Sequence, residues 1–351
     1  MEMNTGAKAE NVAHDPGAHG HEMPTLAGKA AWIISDGRMG HLAITLGIAE
    51  ALGVKAEVKP AAQRLPFRMM APWGPADSGF INGLLSDEPW PAIALGAGRQ
   101  TVPIIRALKR RTAGRIFTVL GQDPKTGPRS ADLIWLPEHD ALRGENVVAT
   151  LTPPHRYGGQ RLDMLRLSAA PEIERLPSPR VALFLGGPGG GYEWPPEEVA
   201  RFADALKIVA AQGASFLITP SRRTPPDLLA AVDAITAGSP RILWTGDGDN
   251  PYAAFLAHAD AFIVTADSVN MAGEASATGR PIHVFHPSAG RPKFRRYHAA
   301  LEAHGATRKL TSATHVRDAW TYEPLDAARL VAAEIERRWR QSPTRSCVQG
   351  R

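Results

Sequence analysis

The sequence predicts an α/β protein built from two Rossmann-like halves that face a central cleft. Short apolar runs alternate with helix-like runs from Trp32 onward, the pattern of parallel strands with helices on both faces. The alternation breaks once, at the proline- and charge-bearing "SAAPEIERLPSPR", and then restarts. Loops rich in Gly, Asp, Arg and Ser follow six of the strand-like runs, at the carboxyl ends where doubly wound sheets gather ligands.

Residues 1–28 lack apolar periodicity and read as a disordered leader. The first half, 29–170, opens with the strand "AAWIIS" and the helix "HLAITLGIAEAL", continues with "AEVKPA", and feeds "PAIALGAG" into "RQTVPIIRALKRR". The runs "RIFTVLGQD", "ADLIWLPE" and "ENVVATL" complete it. The second half, 171–325, alternates "VALFLGGPGGG", "ASFLITPS", "RILWTGD", "AFIVTADS" and "PIHVFHP" with four helices, the last being "VNMAGEASATG". A final helix spans 326–341, and 342–351 reads as a tail. In "RLPFRMMAPWGP", Arg64 and Arg68 stand among Leu65, Phe67, Met69, Met70 and Trp73. That loop suits contact with anionic lipid or a lipid-linked acceptor, or else packing on its own domain through Trp73.

With 351 residues and 44% hydrophobic content the chain buries a sizeable core. Its formal charge of +5 suits an acidic partner such as a phosphate-bearing ligand, but the basic residues are dispersed and no nucleic-acid-reading motif occurs. A single cysteine, Cys347, excludes disulfide scaffolds and cysteine-rich zinc sites, and fits a cytoplasmic location. No apolar run approaches the roughly 20 residues that span a bilayer.

The unusual loops are "SDGRMGH" (35–41), "GAGRQT" (96–101), "GQDPKTG" (121–127), "GGPGGG" (186–191), "TPSRRT" (219–224) and "TADSVNMAGE" (265–274). The glycine run suits anion binding by backbone N–H groups, yet it is neither a Walker loop nor a G-x-G-x-x-G fingerprint. Ser221 and Arg222 suit phosphate. In the last segment, Ser268 and Asn270 sit at a helix start that suits a pyrophosphate. Glu274 lies one to two turns further, where it suits a ribose diol. The plainer alternative is a helix cap with Glu274 complementing the dipole.

"SVNMAGEASATGRPIHVF" resembles the nucleotide-sugar segment of GT-B glycosyltransferases of the MurG type, and "SDGRMGH" occupies the place of their N-terminal Gly-rich loop. From Trp32 to about Arg338 the set "ISDGRMGH", "LGAGRQT", "GQDP", "GGPGGGYEW", "TPSRRT" and "TADSVNM" is similar to the mitochondrial-fission Elm-type family, a set of candidate glycosyltransferases. The resemblance implies a GT-B fold whose last helix returns to the N-terminal, acceptor-binding domain. The donor site it implies lies in the C-terminal domain. Glu274 would hold the ribose, Ser268 and Asn270 with Gly187, Gly189 and Gly190 the pyrophosphate, and Arg222 with Ser221 would lie near phosphate. Thr265 and Met271 belong to the same donor segment. His41 is the candidate base and Asp123 its rival. The loop departs from the MurG type at Ser35, Asp36, Arg38 and Met39, so Arg38 is free to meet an acidic acceptor. The implied function is metal-independent, cofactor-free transfer from a nucleotide-diphosphate sugar to a cell-envelope or lipid-linked acceptor, with peripheral membrane contact. The competing class is a non-catalytic GT-B shell that binds ligands or remodels membranes.

Overall fold

Residues 26–341 are described by the structure, a computed structural model; residues 1–25 of the leader expected over 1–28, and the tail expected over 342–351, lie outside the described residues. The first half runs β1 (Ala30–Ser35), α1 (Met39–Ala51), β2 (Lys55–Pro60), α2 (Phe67–Met70), α3 (Ser78–Leu84), β3 (Ile93–Ala97), α4 (Val102–Arg111), β4 (Phe117–Leu120), β5 (Leu133–Pro137) and β6 (Val147–Thr150). Helices α5 (Gly159–Leu167) and α6 (Pro171–Glu174) lead across to β7 (Arg180–Leu185) and α7 (Pro196–Ala210). Then follow β8 (Ser215–Pro220), α8 (Pro226–Thr236), β9 (Arg241–Leu243), α9 (Tyr252–His258), β10 (Ala261–Thr265) and α10 (Val269–Ser276). The chain closes with β11 (Ile282–Phe285), α11 (Pro292–Ala303), β12 (Thr307–Lys309) and α12 (Ala327–Arg340).

The strands form two six-stranded sheets, ordered β2-β1-β3-β4-β5-β6 and β12-β11-β10-β7-β8-β9, with parallel pairing throughout. This is the expected pair of Rossmann-like units. Successive strand residues face opposite sides, so each sheet is covered twice. Ile33 packs with Ile48, Val331, Ile335 and Trp339 under α1 and α12, whereas Ile34 packs with Ile104, Ile105 and Leu108 of α4. In the second sheet Leu183 faces Phe202 and Leu206 of α7, and Phe184 faces Phe255, Ala272 and Leu301 on the other side.

Two boundaries differ from the sequence reading. Leu26, read as leader, is fully buried among the residues under α12, and its N–H donates to Glu336 Oε1 at 2.7 Å. Helix α5, read as part of the first half, buries Leu162 in the core of the second sheet, so the crossing falls between β6 and α5 rather than at 170.

The crossing segment presses on α1 at Gly47, where an added Cβ would lie 2.6 Å from the carbonyl carbon of His155. Gly47→Ala is therefore expected to destabilise the protein by about 1–2 kcal/mol, the overpacking cost less alanine's better helix propensity. Urea unfolding measures it, and unchanged or raised stability would contradict this packing.

Candidate functional site

Parallel register puts Ser35 beside Ala97 and Gly96 beside Leu120, so the loops after β1, β3 and β4 leave the first sheet side by side. In the first loop Asp36 Oδ1 accepts the Arg38 N–H at 3.2 Å, turning the chain into α1. Its Oδ2 then accepts the His41 Nδ1–H at 2.9 Å. With Nδ1 as donor, the lone pair sits on His41 Nε2, which accepts from the Gln122 side-chain amide at 2.9 Å. Gly98, at φ +95°, leaves the room this needs: a Cβ there would lie 2.4 Å from both Asp36 Oδ2 and His41 Nδ1. The Asp36 and His41 side chains are 6% and 16% exposed, which holds the pair in place while leaving the imidazole within reach.

Asp123 is a poorer base. Its Oδ1 accepts the Lys125 N–H at 2.8 Å and its Oδ2 the Lys125 ammonium at 2.7 Å. Burial pushes its carboxyl up, but the Lys125 bonds and charge together outweigh that and hold it below the usual range.

In the second half, α10 begins after Ser268 without a side-chain cap, leaving the first backbone N–H groups of the helix free of intrahelical acceptors. Asn270 is exposed in this first turn. Glu274 stands one turn on, half-buried, and accepts a hydrogen bond from the Tyr252 hydroxyl of α9. Burial pushes the Glu274 carboxyl up to about 7 against the opposing effect of that bond. Burial likewise raises the Tyr252 phenol, helped by the Glu274 charge.

The remaining candidates, Arg222 excepted, make contacts within the chain. Gly186 N–H donates to Thr265 Oγ1 at 2.8 Å, Gly187 N–H to Asp267 Oδ2 at 2.5 Å, and Gly189 N–H to the Tyr192 carbonyl at 3.2 Å. The amides of Gly187 and Gly189, expected to hold pyrophosphate, are thus engaged by the protein itself, and Thr265 is a latch on that loop. The glycines serve close packing. A Cβ at Gly187 would lie 1.9 Å from the Arg223 carbonyl oxygen, and one at Gly190 2.9 Å from the Phe294 ring. Ser221 Oγ accepts the Arg223 N–H at 3.2 Å as a turn former. Met271 packs on the second core, and its sulfur accepts from Ser268 Oγ at 3.2 Å. Arg222 is exposed and free of ion pairs among the described residues.

The halves meet at a narrow pocket of about 20 Å³ lined by Gly40 and Ile44 of α1, His155 of the crossing segment, and Asn270 and Glu274 of α10. It brings the Glu274 carboxylate against the helix that carries His41. Burial lowers the His155 imidazole to about 4, so this wall is uncharged at neutral pH. Three residues escaped the sequence reading as site residues: Gln122, Tyr252 and Gly98. Asp36 was noted for its departure from the MurG-type loop, but its role as His41's partner was not. The spacing of Asp36 to His41 across a strand-to-helix turn was the one local signal available.

Beside the first loop lies the segment around α2. It is not anchored by Trp73, which is 66% exposed together with Leu65 at 68% and Met69 at 71%. Its backbone is held from below: the Arg99 guanidinium donates to the Ala71 and Met69 carbonyls, and Arg106 to those of Pro72 and Trp73. Among the described residues no helix is long and apolar enough to cross a membrane.

Comparison with known proteins agrees with this architecture. The Neisseria meningitidis UDP-GlcNAc 2-epimerase, solved bound to UDP-GlcNAc, superposes with a TM-score of 0.51 at 13% identity, covering 87% of this chain and 98% of that one. MurG of Acinetobacter baumannii gives 0.46 at 16% identity over 89% and 95%. The likeness to the epimerase and the two parallel sheets make the fold GT-B, two Rossmann-like domains facing a cleft. The mitochondrial fission protein ELM1 of Arabidopsis thaliana is 27% identical over 271 residues, 70% of this chain and 64% of that protein, so this chain spans less than two thirds of that relative. Residues 39–339 match the family described as Mitochondrial fission ELM1, and the chain belongs to that family.

Proposed function

We propose that the protein is a glycosyltransferase that needs no metal ion and moves a sugar from a nucleoside-diphosphate sugar to an acceptor held by the first half. The observation that carries this reading is the Asp36–His41–Gln122 chain on the rim of a cleft whose other wall is the uncapped start of α10 and Glu274. His41 Nε2 takes the proton of the acceptor hydroxyl, and Asp36 stabilises the imidazolium that forms. The helix start receives the departing diphosphate, and Glu274 the ribose diol. Slow release of nucleoside diphosphate from nucleotide sugars, unaffected by EDTA, tests the reading, since loss of turnover in EDTA would contradict its metal independence.

The acceptor in this reading is lipid-linked, reached from a membrane surface. A groove of about 390 Å³ lined by Asp36, Gly37, Val58, Arg68 and Gln100 runs beside the His41 loop, and the exposed Leu65, Met69 and Trp73 stand near Arg68 in the chain. Trp73→Ser is expected to weaken cosedimentation with phosphatidylglycerol vesicles about tenfold, as withdrawing one large apolar side chain from an interface implies. Equal binding by the variant would remove this loop from the contact.

One observation favours a non-catalytic shell instead: the Gly187 and Gly189 amides are already engaged. In that case no nucleotide sugar is turned over.

A further inference from the structure

Asn270 also lines a second, larger cavity of about 230 Å³ that does not include Glu274. Both halves contribute to it, His139 from the first, Lys293, Phe294 and Tyr297 from the second, with Leu151 of the crossing segment between them. Its aromatic wall is fixed. The Phe294 ring packs against Gly190, and the Tyr297 hydroxyl donates to the Val269 carbonyl at 3.1 Å.

The polar groups are arranged differently from those of an ion site. Lys293 Nζ, from α11, lies 3.6 Å from Asp140 Oδ1 of the opposite half, so the two charges offset one another across the cleft. His139 Nε2 is buried without a hydrogen-bond partner and lies 3.8 Å from the same Asp140 oxygen. Burial first, then the Lys293 charge and that of Arg296, lower the His139 imidazole against Asp140, so at neutral pH it offers an uncharged nitrogen. The transfer chemistry described above uses none of these three residues.

We propose that this cavity is a carbohydrate subsite for a neutral pyranose, with His139, Lys293 and Asn270 reading its hydroxyls, Asp140 positioning Lys293 from behind the lining, and Phe294 and Tyr297 facing its apolar ring surface. An ammonium, an imidazole and the Asn270 amide together supply donors and acceptors for adjacent hydroxyls, which both donate and accept. A wholly apolar ligand would strand the Lys293–Asp140 pair and His139 without hydrogen bonds. An acidic sugar would gain the Lys293 ammonium only by displacing Asp140, which already neutralises it, and this disfavours it against a neutral one. Whether the sugar belongs to donor or acceptor rests on the transferase reading, but its binding is measured without nucleotide.

The experiment is saturation-transfer NMR of the full chain with methyl glucoside, galactoside, mannoside and N-acetylglucosaminide, against methyl glucuronide. At least one neutral glycoside is expected to give a signal that falls about fivefold or more in both His139→Ala and Lys293→Ala, each checked as folded by circular dichroism. The proposal is overturned by no signal from any neutral glycoside, by a stronger signal from the glucuronide, or by a signal that survives both substitutions. Calorimetry with UDP, GDP, CDP and dTDP, run separately, reports on the transferase reading alone. Nucleotide binding without a glycoside signal overturns only the subsite, and a glycoside signal of the expected kind with none of the four nucleotides bound supports it while counting against the donor site.

Discussion

Replacing His41 with alanine is expected to lower sugar transfer by about 10²- to 10⁴-fold, the range for losing a general base, while nucleotide affinity changes by less than about twofold. The geometry behind this is the one-way chain of hydrogen bonds: Asp36 accepts from Nδ1, which leaves Nε2 as the acceptor facing Gln122. Asp36→Asn is expected to cost about 10²-fold or more, because the amide no longer stabilises the imidazolium and supports the wrong tautomer. Gln122→Ala should cost less, since the substrate hydroxyl replaces Gln122 as the partner of Nε2 in the working complex. Initial rates and calorimetry on the same preparations separate these effects. Turnover unchanged in His41→Ala would remove the base from this loop, and the Lys125-bound Asp123 offers no ready substitute.

Glu274→Ala is expected to weaken nucleoside diphosphate binding by about 10- to 150-fold, the loss of hydrogen bonds to a charged group. The helix should survive, since alanine is a good helix former. The elevated carboxyl adds a pH signature. Between the ordinary value of 4.5 and about 7, the free site holds a proton that must leave when two ribose hydroxyls donate to the carboxylate. Affinity should therefore rise by up to about tenfold per pH unit towards pH 7 and level off above it. In Glu274→Gln this slope should vanish. A slope that persists in the glutamine variant would assign the titration to another group.

Much of the fold was legible because parallel strands buried on both faces leave continuous apolar runs; "IALGA" and "AFIVT" are buried at every position. Helix α11 and strand β12 were not legible. The helix opens with the basic "PKFRR" and buries Tyr297, His298 and Leu301 rather than a full apolar stripe, and β12 has three residues at a sheet edge. The site was readable as a set of loops but not as a set of bonds. His41 meets Gln122 across 81 residues, through a register that only the folded sheet supplies. Glu274 meets Tyr252 across 22 residues through the packing of α9 on α10's side of the sheet. The partners of the glycine run were not legible for a physical reason. Glycine permits close approach by anything, and here Asp267, Thr265 and the Arg223 backbone come close.

The central claim is that a nucleoside diphosphate binds in the cleft against α10 without a metal ion. Calorimetric titration of the full chain with UDP, GDP, CDP and dTDP in EDTA tests it most directly. At least one of the four should bind with one site per chain, with an affinity that depends on Glu274 and not on His41. Absence of heat from all four at millimolar nucleotide, in protein shown to be folded, would contradict the donor site and with it the transferase reading.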